Sequence, residues 1–228
     1  NWNCKLIIML KKITLVFALT ILFNTIKSQN LQVHYDFLED DSYFTSTLEM
    51  FKPNPKGATF WFVDFDYLSD TNGSASSGYM EFAKYFNLGD TNKYTFTLQF
   101  NDGVAYWGNL GQAFLVGSTY NLNLGDFSLS TELLYKYQQG NNPNGQITFV
   151  YYFPLLGGKG ELTGFADIWT IDKGNSNSKD FVFMSQPQLW YFISEKISFG
   201  GEMRITNNFY PEKGWKYTAT FGLKWNME

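Results

Sequence analysis

The chain has 228 residues, enough for one domain or one medium barrel, with 17% charged and 20% aromatic residues, a formal charge of −4 and a mean hydropathy of −0.24. Few charges beside many rings and an ordinary mean hydropathy suit a protein with one face toward lipid and another toward water. The acidic balance argues against a nucleic-acid partner, which needs a basic footprint. Cys4 is the single cysteine, so no disulfide framework is possible.

At the N-terminus, Met9-Leu10-Lys11-Lys12 supplies a start and a basic region, and Ile13 to Phe23 is uncharged and mostly apolar. Asn24-Thr25-Ile26-Lys27-Ser28 follows. This is the layout of a cleaved secretory signal, with cleavage expected after Ser28 and Asn1 to Ile8 as an upstream extension. The apolar stretch is shorter than the ~20 residues of a helical span. Residues 1–28 carry four of the 17 basic residues and none of the 21 acidic ones, so their removal leaves a formal charge of −8. The expected division is 1–28, extension plus signal peptide, and 29–228, barrel. Beyond the signal no apolar run approaches the length of a membrane helix. A membrane could be crossed only with strands.

From Leu31 onward the dominant period is two, broken every 8–15 residues or so by Gly, Asn, Asp, Ser or Pro clusters. In Gln32-Val33-His34-Tyr35-Asp36, His34 and Asp36 share one face. Next, Phe44, Leu48 and Met50 oppose Tyr43, Thr45, Thr47 and Glu49. The clearest segment sets Thr59, Trp61, Val63, Phe65 and Tyr67 against Phe60, Phe62, Asp64 and Asp66, the alternation of a barrel wall. Met80, Phe82 and Phe86 oppose Tyr79 and Glu81. Tyr94, Phe96, Leu98 and Phe100 oppose Thr95, Thr97 and Gln99. Leu129, Leu133, Tyr135 and Tyr137 oppose Ser128, Ser130, Glu132, Lys136 and Gln138. Later segments repeat the pattern through Ile147–Phe153, Ile197–Ile205 and Tyr217–Trp225, with Gln146, Thr148, Glu202, Arg204, Lys216, Thr218, Thr220 and Lys224 on the polar side. A soluble sandwich shares this parity, but segments of about 9–12 residues exceed the usual five or six of soluble strands and suit a tilted bilayer span.

Tight turns at Pro53–Gly57, Leu88–Thr91, Leu124–Asp126 and Ser194–Lys196 alternate with longer links at Ser69–Ser77, Asn101–Gly111, Gln139–Gly145, Lys173–Lys179 and Asn207–Gly214. Short periplasmic turns opposite longer outer loops are expected of an outer-membrane barrel. The fold class predicted is all-β: one transmembrane antiparallel up-and-down barrel of about 12 strands, both termini inside. Aromatics near strand ends, Trp61, Tyr67, Tyr94, Trp169, Trp190, Trp215 and Trp225, are candidates for interfacial girdles. The final strand ends aromatic-rich at Phe221–Trp225, where barrels carry the signal for the barrel-assembly machinery.

Candidate lumen residues are Glu49, Phe62, Asp64, Asp66, Glu81, Lys136, Phe165, Asp167, Trp169 and Arg204. Inward carboxylates and cations either set selectivity along a pore or form a network that ties strands together and fills a narrow barrel. Inward rings (Tyr43, Phe60, Phe62, Tyr79, Tyr152, Phe165, Trp169, Trp190) either stack planar solutes or fill space. The only imidazole, His34, faces inward on the first strand, a poor site for a triad working at the lipid. No enzyme, cofactor or metal site is expected.

Taken with their order and spacing, Tyr43 to Phe51, Phe60 to Tyr67, Tyr79-Met80-Glu81, Tyr135-Lys136-Tyr137, Val150 to Pro154 and Gly164 to Trp169 resemble the nucleoside-specific channel-forming (Tsx-type) outer-membrane proteins and their phage-receptor relatives. The resemblance extends over nearly all of residues 31–227. It implies a monomeric twelve-stranded barrel in a Gram-negative outer membrane that passes nucleosides by facilitated diffusion. Its partners would be outer-membrane lipid and small-molecule solutes. It carries Glu49, Asp66, Glu81, Phe165, Asp167 and Trp169 over as the binding track. This chain departs in its trimmed outer loops, so phage or colicin binding is not implied. A closed structural or receptor barrel is the competing reading.

Overall fold

The computed structural model describes residues 29–37, 42–68, 74–173, 178–209 and 213–227. The expected signal peptide and extension, 1–28, lie outside the described residues, as do parts of the expected outer loops. The described chain is all strand and turn: β1 (Gln29–Asp36), β2 (Tyr43–Asn54), β3 (Gly57–Tyr67), β4 (Ser77–Asn87), β5 (Tyr94–Ala105), β6 (Gly108–Asn109), β7 (Ala113–Leu124), β8 (Phe127–Gln138), β9 (Asn144–Leu155), β10 (Gly160–Asp172), β11 (Lys179–Ser185), β12 (Gln188–Phe192), β13 (Ile197–Asn207) and β14 (Trp215–Met227). Two of these are not separate wall strands. β6 is the return of a small hairpin on the end of β5. β11 and β12 both pair with β10 and β13 in one continuous register, interrupted only at Gln186-Pro187, where proline lacks the N–H a ladder needs. Twelve antiparallel wall strands result.

Each wall strand pairs with the next in sequence, and β1 closes the ring by pairing with β14 from Gln29↔Met227 to Asp36↔Thr220. Closure leaves no strand edge, the condition for a sheet to exist in hydrocarbon, where no water satisfies unpaired backbone groups. Most wall strands run 11–13 residues, the length a tilted crossing requires. The connections β2–β3, β7–β8 and β12–β13 are short, and both described termini, Gln29 and Met227, lie at that same end. The fold is the predicted transmembrane barrel.

The outer face carries Phe44, Phe65, Phe82, Leu98, Phe114, Leu133 and Phe221, all exposed, with Leu133 at 65%. On a soluble protein such a belt would drive association; on a barrel it is the lipid contact. Tyr94, Trp215, Tyr217 and Trp225 stand exposed near strand ends, as a girdle does. Trp190 does not belong to it. It points inward and is 1% exposed.

Two further expectations are corrected. The segment from Asn101 is not a loop: β5 continues to Ala105, with Glu81↔Asn101 and Ser77↔Ala105 still paired. Asn-Asp-Gly reads as a turn, yet the Asp102 carboxylate accepts from the Gly103 N–H at 2.8 Å while the strand runs on. Pro53 and Asn54 likewise belong to β2, leaving only Pro55-Lys56 as the turn. Nor is the inward face uniformly polar. Ala113, Leu115 and Leu134 form a small buried apolar cluster on the inside of β7 and β8, and Val182 is buried on β11.

Candidate functional site

The register brings the inward residues of β3 and β4 into a square. Asp64 is the cross-strand partner of Tyr79, and Phe62 of Glu81, so acid and ring alternate on both strands. Directly opposed side chains of an antiparallel pair lie about 5 Å apart at Cβ. The Phe62 and Tyr79 rings are 5.9 Å apart at 54°, and Phe60 continues the row 5.9 Å from Phe62. Tyr79 Oη donates to Glu81 Oε1 at 2.6 Å, and Asn101 Nδ2 donates to the same oxygen at 2.9 Å. Asp66, above them, accepts from Thr45 Oγ1 (2.7 Å) and Ser77 Oγ (2.6 Å). Asp64 stands cross-strand from Thr47, and its Oδ1 is buried with no hydrogen-bond partner. The charges acting on Asp64 most strongly are carboxylates: Glu202 across the lumen, then Asp66, then Glu81.

A second group lies on β8 to β10. Glu132 is held by Tyr85 Oη (2.8 Å), which reaches it from β4, and by Gln99 Nε2 (2.5 Å). Lys136 donates to Gln146 Oε1 at 3.1 Å and sits 4.7 Å from the centre of the Trp169 ring, a cation–π contact. Trp169 also meets Phe209 edge-on at 6.0 Å. Asp167 stands cross-strand from Thr148, feels Glu81 from the opposite wall and Lys136 beside it, and leaves Oδ1 buried without a partner. Phe165, two residues along β10, faces the same way, cross-strand from Val150.

The third group surrounds the β1–β14 seam and consists of paired charges. Lys224 forms an ion pair with Glu161, both nearly enclosed, and its ammonium lies 4.8 Å from the centre of the Trp190 ring. Trp190 Nε1 donates to Gln188 Oε1 at 3.0 Å. Gln186 and Gln188 each donate to one oxygen of Glu202 at 3.0 Å. His34 packs edge-on to Trp190 at 5.5 Å and hydrogen-bonds Thr220 (2.9 Å) and Gln32 (3.0 Å). Arg204 lies 3.7 Å from Asp36. Glu49 accepts from Asn30 Nδ2 at 2.9 Å.

All ten sequence-predicted lumen residues therefore point inward, but they do not form one site. Phe62, Asp64, Asp66 and Glu81 gather on β3–β4, and Lys136, Phe165, Asp167 and Trp169 on β8–β10. Glu49 and Arg204 join the seam. Lys136 was expected among the partners of the inward acids and does stand beside Glu81 and Asp167, whereas Lys216 is exposed at the outer end of β14. Glu132, Glu161, Glu202, Asp36 and Trp190 also belong to these networks but are not among the ten. Period-two parity had placed Glu132, Glu202, Asp36 and Trp190 inward; it does not report their partners, which range from the neighbouring strand for Glu202 (Gln188) to three links away for Glu132 (Tyr85). Among the described lumen residues, Asp36, Glu49, Asp64, Asp66, Glu81, Glu132, Glu161, Asp167 and Glu202 face only Lys136, Arg204 and Lys224 inside the wall.

A protein family described as domain of unknown function (DUF5020) matches residues 28–227. The chain belongs to that family. No curated protein matches. Among solved structures, the DUF5020 barrel is similar to the NanC porin in a rhombohedral crystal form, at 9% identity and a TM-score of 0.59, covering 87% of this chain and 99% of that one. It is also similar to the KdgM porin (7%, TM-score 0.53) and to the KdgM porin in complex with disordered oligogalacturonate (7%, TM-score 0.52), with the same coverage. At such identities the likeness is one of fold: the DUF5020 barrel shares its architecture with outer-membrane porins.

Proposed function

We propose that this protein is a channel of the Gram-negative outer membrane that passes small polar solutes by facilitated diffusion, and not an enzyme. The observation that carries the reading is exposure inside the wall. Val150 and Tyr152 point inward, cross-strand from Ser130 and Ser128, yet are 41% and 39% exposed. Water therefore reaches the lumen face at the short-turn end, and above it Phe165, Asp167, Phe62 and Asp64 remain partly open. His34, with both ring nitrogens bonded to Thr220 and Gln32, has the surroundings of a packed structural residue, not of a general base.

Nucleosides are the solutes implied by the resemblance to Tsx-type channels, and the row Phe60–Phe62–Tyr79 beside hydrogen-bonding carboxylates suits a planar base with hydroxyls. Oligogalacturonate, the molecule accompanying one KdgM porin structure, is a chain of uronic acids; a lumen this rich in carboxylates would repel it. A second reading, a closed structural or receptor barrel, is favoured by Tyr85–Glu132 and Lys224–Glu161, which cross the interior between strands three links apart.

Uptake of radiolabelled nucleosides into liposomes carrying the refolded barrel, with size-matched sugars and amino acids as controls, tests the proposal. Saturable nucleoside entry above the sugars is the expected result. Entry of every control at the same rate removes nucleoside specificity and leaves a general channel; no entry of any solute by a folded barrel sinks transport.

A further inference from the structure

We propose that the inner wall formed by β3 and β4 is a binding station for an organic cation, an ammonium or amidinium on an apolar or aromatic body, centred on Asp64. The inference rests on the channel reading only for its physiological use; the site itself is argued from geometry.

Cations inside the barrel are mostly committed elsewhere. Lys224 is paired with Glu161 and seated on Trp190, Arg204 lies against Asp36, and Lys136 is held between Gln146 and the Trp169 ring. Asp64 has no such neighbour among its strongest electrostatic contacts, which are Glu202, Asp66 and Glu81. One of its oxygens is buried and bonded to nothing. A shielded carboxylate oxygen without a donor is costly, and natural interiors seldom keep one without a use.

The flanking groups say what kind of cation fits. No group of three acids or other ligand residues among the described residues is close enough to hold a metal ion. Instead Asp64 stands directly opposite Tyr79 and beside Phe62, whose rings are 5.9 Å apart. The Tyr79 ring is fixed, because its hydroxyl is tied to Glu81 and approached by Asn101 at 3.1 Å. Carboxylate beside fixed ring faces is the chemistry that binds alkylammonium groups: charge from the acid, cation–π attraction from the rings, both strengthened as the site dries. A neutral solute gains only the stacking, and an anion meets Asp64, Asp66, Glu81 and Glu202 together.

The test uses three probes that share a phenyl ring and differ chiefly in charge: benzylammonium, benzyl alcohol and benzoate. Calorimetric titration of the refolded barrel in detergent is expected to show benzylammonium binding at least about tenfold tighter than benzyl alcohol, with benzoate undetectable. Asp64→Asn should bring benzylammonium down to the level of the alcohol, and Glu202→Gln should weaken it severalfold, with heat-modifiable migration and far-UV circular dichroism confirming both variants fold. Equal binding of all three probes, or an Asp64→Asn barrel that still prefers the cation, overturns the inference. Planar-bilayer conductance of the same preparations separates the two claims: a silent barrel that binds benzylammonium overturns the channel and leaves the site, while a conducting barrel indifferent to the probes does the reverse.

Discussion

The two sides of the lumen solve the problem of buried charge differently. Around the seam, Glu161 has Lys224, Asp36 has Arg204, Glu202 has two glutamine amides, and Trp190 fills the space between them. On β3–β4 the carboxylates are held by hydroxyls, an amide and a phenol, with no salt bridge to Asp64, Asp66 or Glu81 among those found in the described residues. The first wall answers most of its acids with a cation or an amide, although Asp36 Oδ1 is left without a hydrogen-bond partner, and it behaves as structure. The second is left with negative charge and half-buried rings, which suits the proposed contact with passing solutes. Buried pairs are costly to break and contribute little net stability when made, so the seam's charges are best understood as fixing strand register and filling the tube.

Four substitutions test that contrast. Trp190→Ala should have the largest effect, a loss of about 3–5 kcal/mol from the cavity it leaves, read as urea-induced unfolding in lipid vesicles. Lys224→Met comes next, at about 3 kcal/mol, because Glu161 is left enclosed without its partner; adding Glu161→Gln should recover most of the loss in the same assay. Arg204→Met is expected to cost about 1–2 kcal/mol, less than a fully buried pair since a third of the guanidinium side chain is open to solvent. Asp64→Asn should change stability by less than about 1 kcal/mol, the worth of one adjusted hydrogen bond, yet shift the bilayer reversal potential in a KCl gradient toward chloride. If Asp64→Asn destabilised the barrel as much as Lys224→Met, the division into a structural and a working wall would collapse.

Parity carried the sequence a long way. Side chains on a strand alternate without exception, so Phe62, Asp64 and Asp66 declared their common face from spacing alone, and so did Glu132 with Lys136. What alternation leaves out is height. Strands tilt, and the stagger that accumulates around the ring decides which residues of distant strands share a level. That is why the Glu161–Lys224 pair, 63 residues apart, and the Tyr85–Glu132 bond, 47 apart, were not legible. Local chemistry misled at Asn101-Asp102-Gly103, where turn-forming residues sit inside a strand because Asp102 satisfies the Gly103 N–H and the ladder to β4 continues. The buried Leu115 and Leu134 escaped for a related reason: an inward leucine looks like noise in a polar row until a second one is seen beside it.

The seam between β1 and β14 also dictates how the molecule can come into being. His34 hydrogen-bonds Thr220, 186 positions further along the chain, so the wall cannot be completed until β14 is available. Pairings that join sequence ends close slowly, after nearly all the chain entropy has been lost. Before closure, β1 and β13 would each present a row of unpaired backbone groups capable of recruiting another chain. Loss of the thirteen-residue β14 would leave the edges of β1 and β13 unpaired and turn a closed tube into an open, sticky sheet.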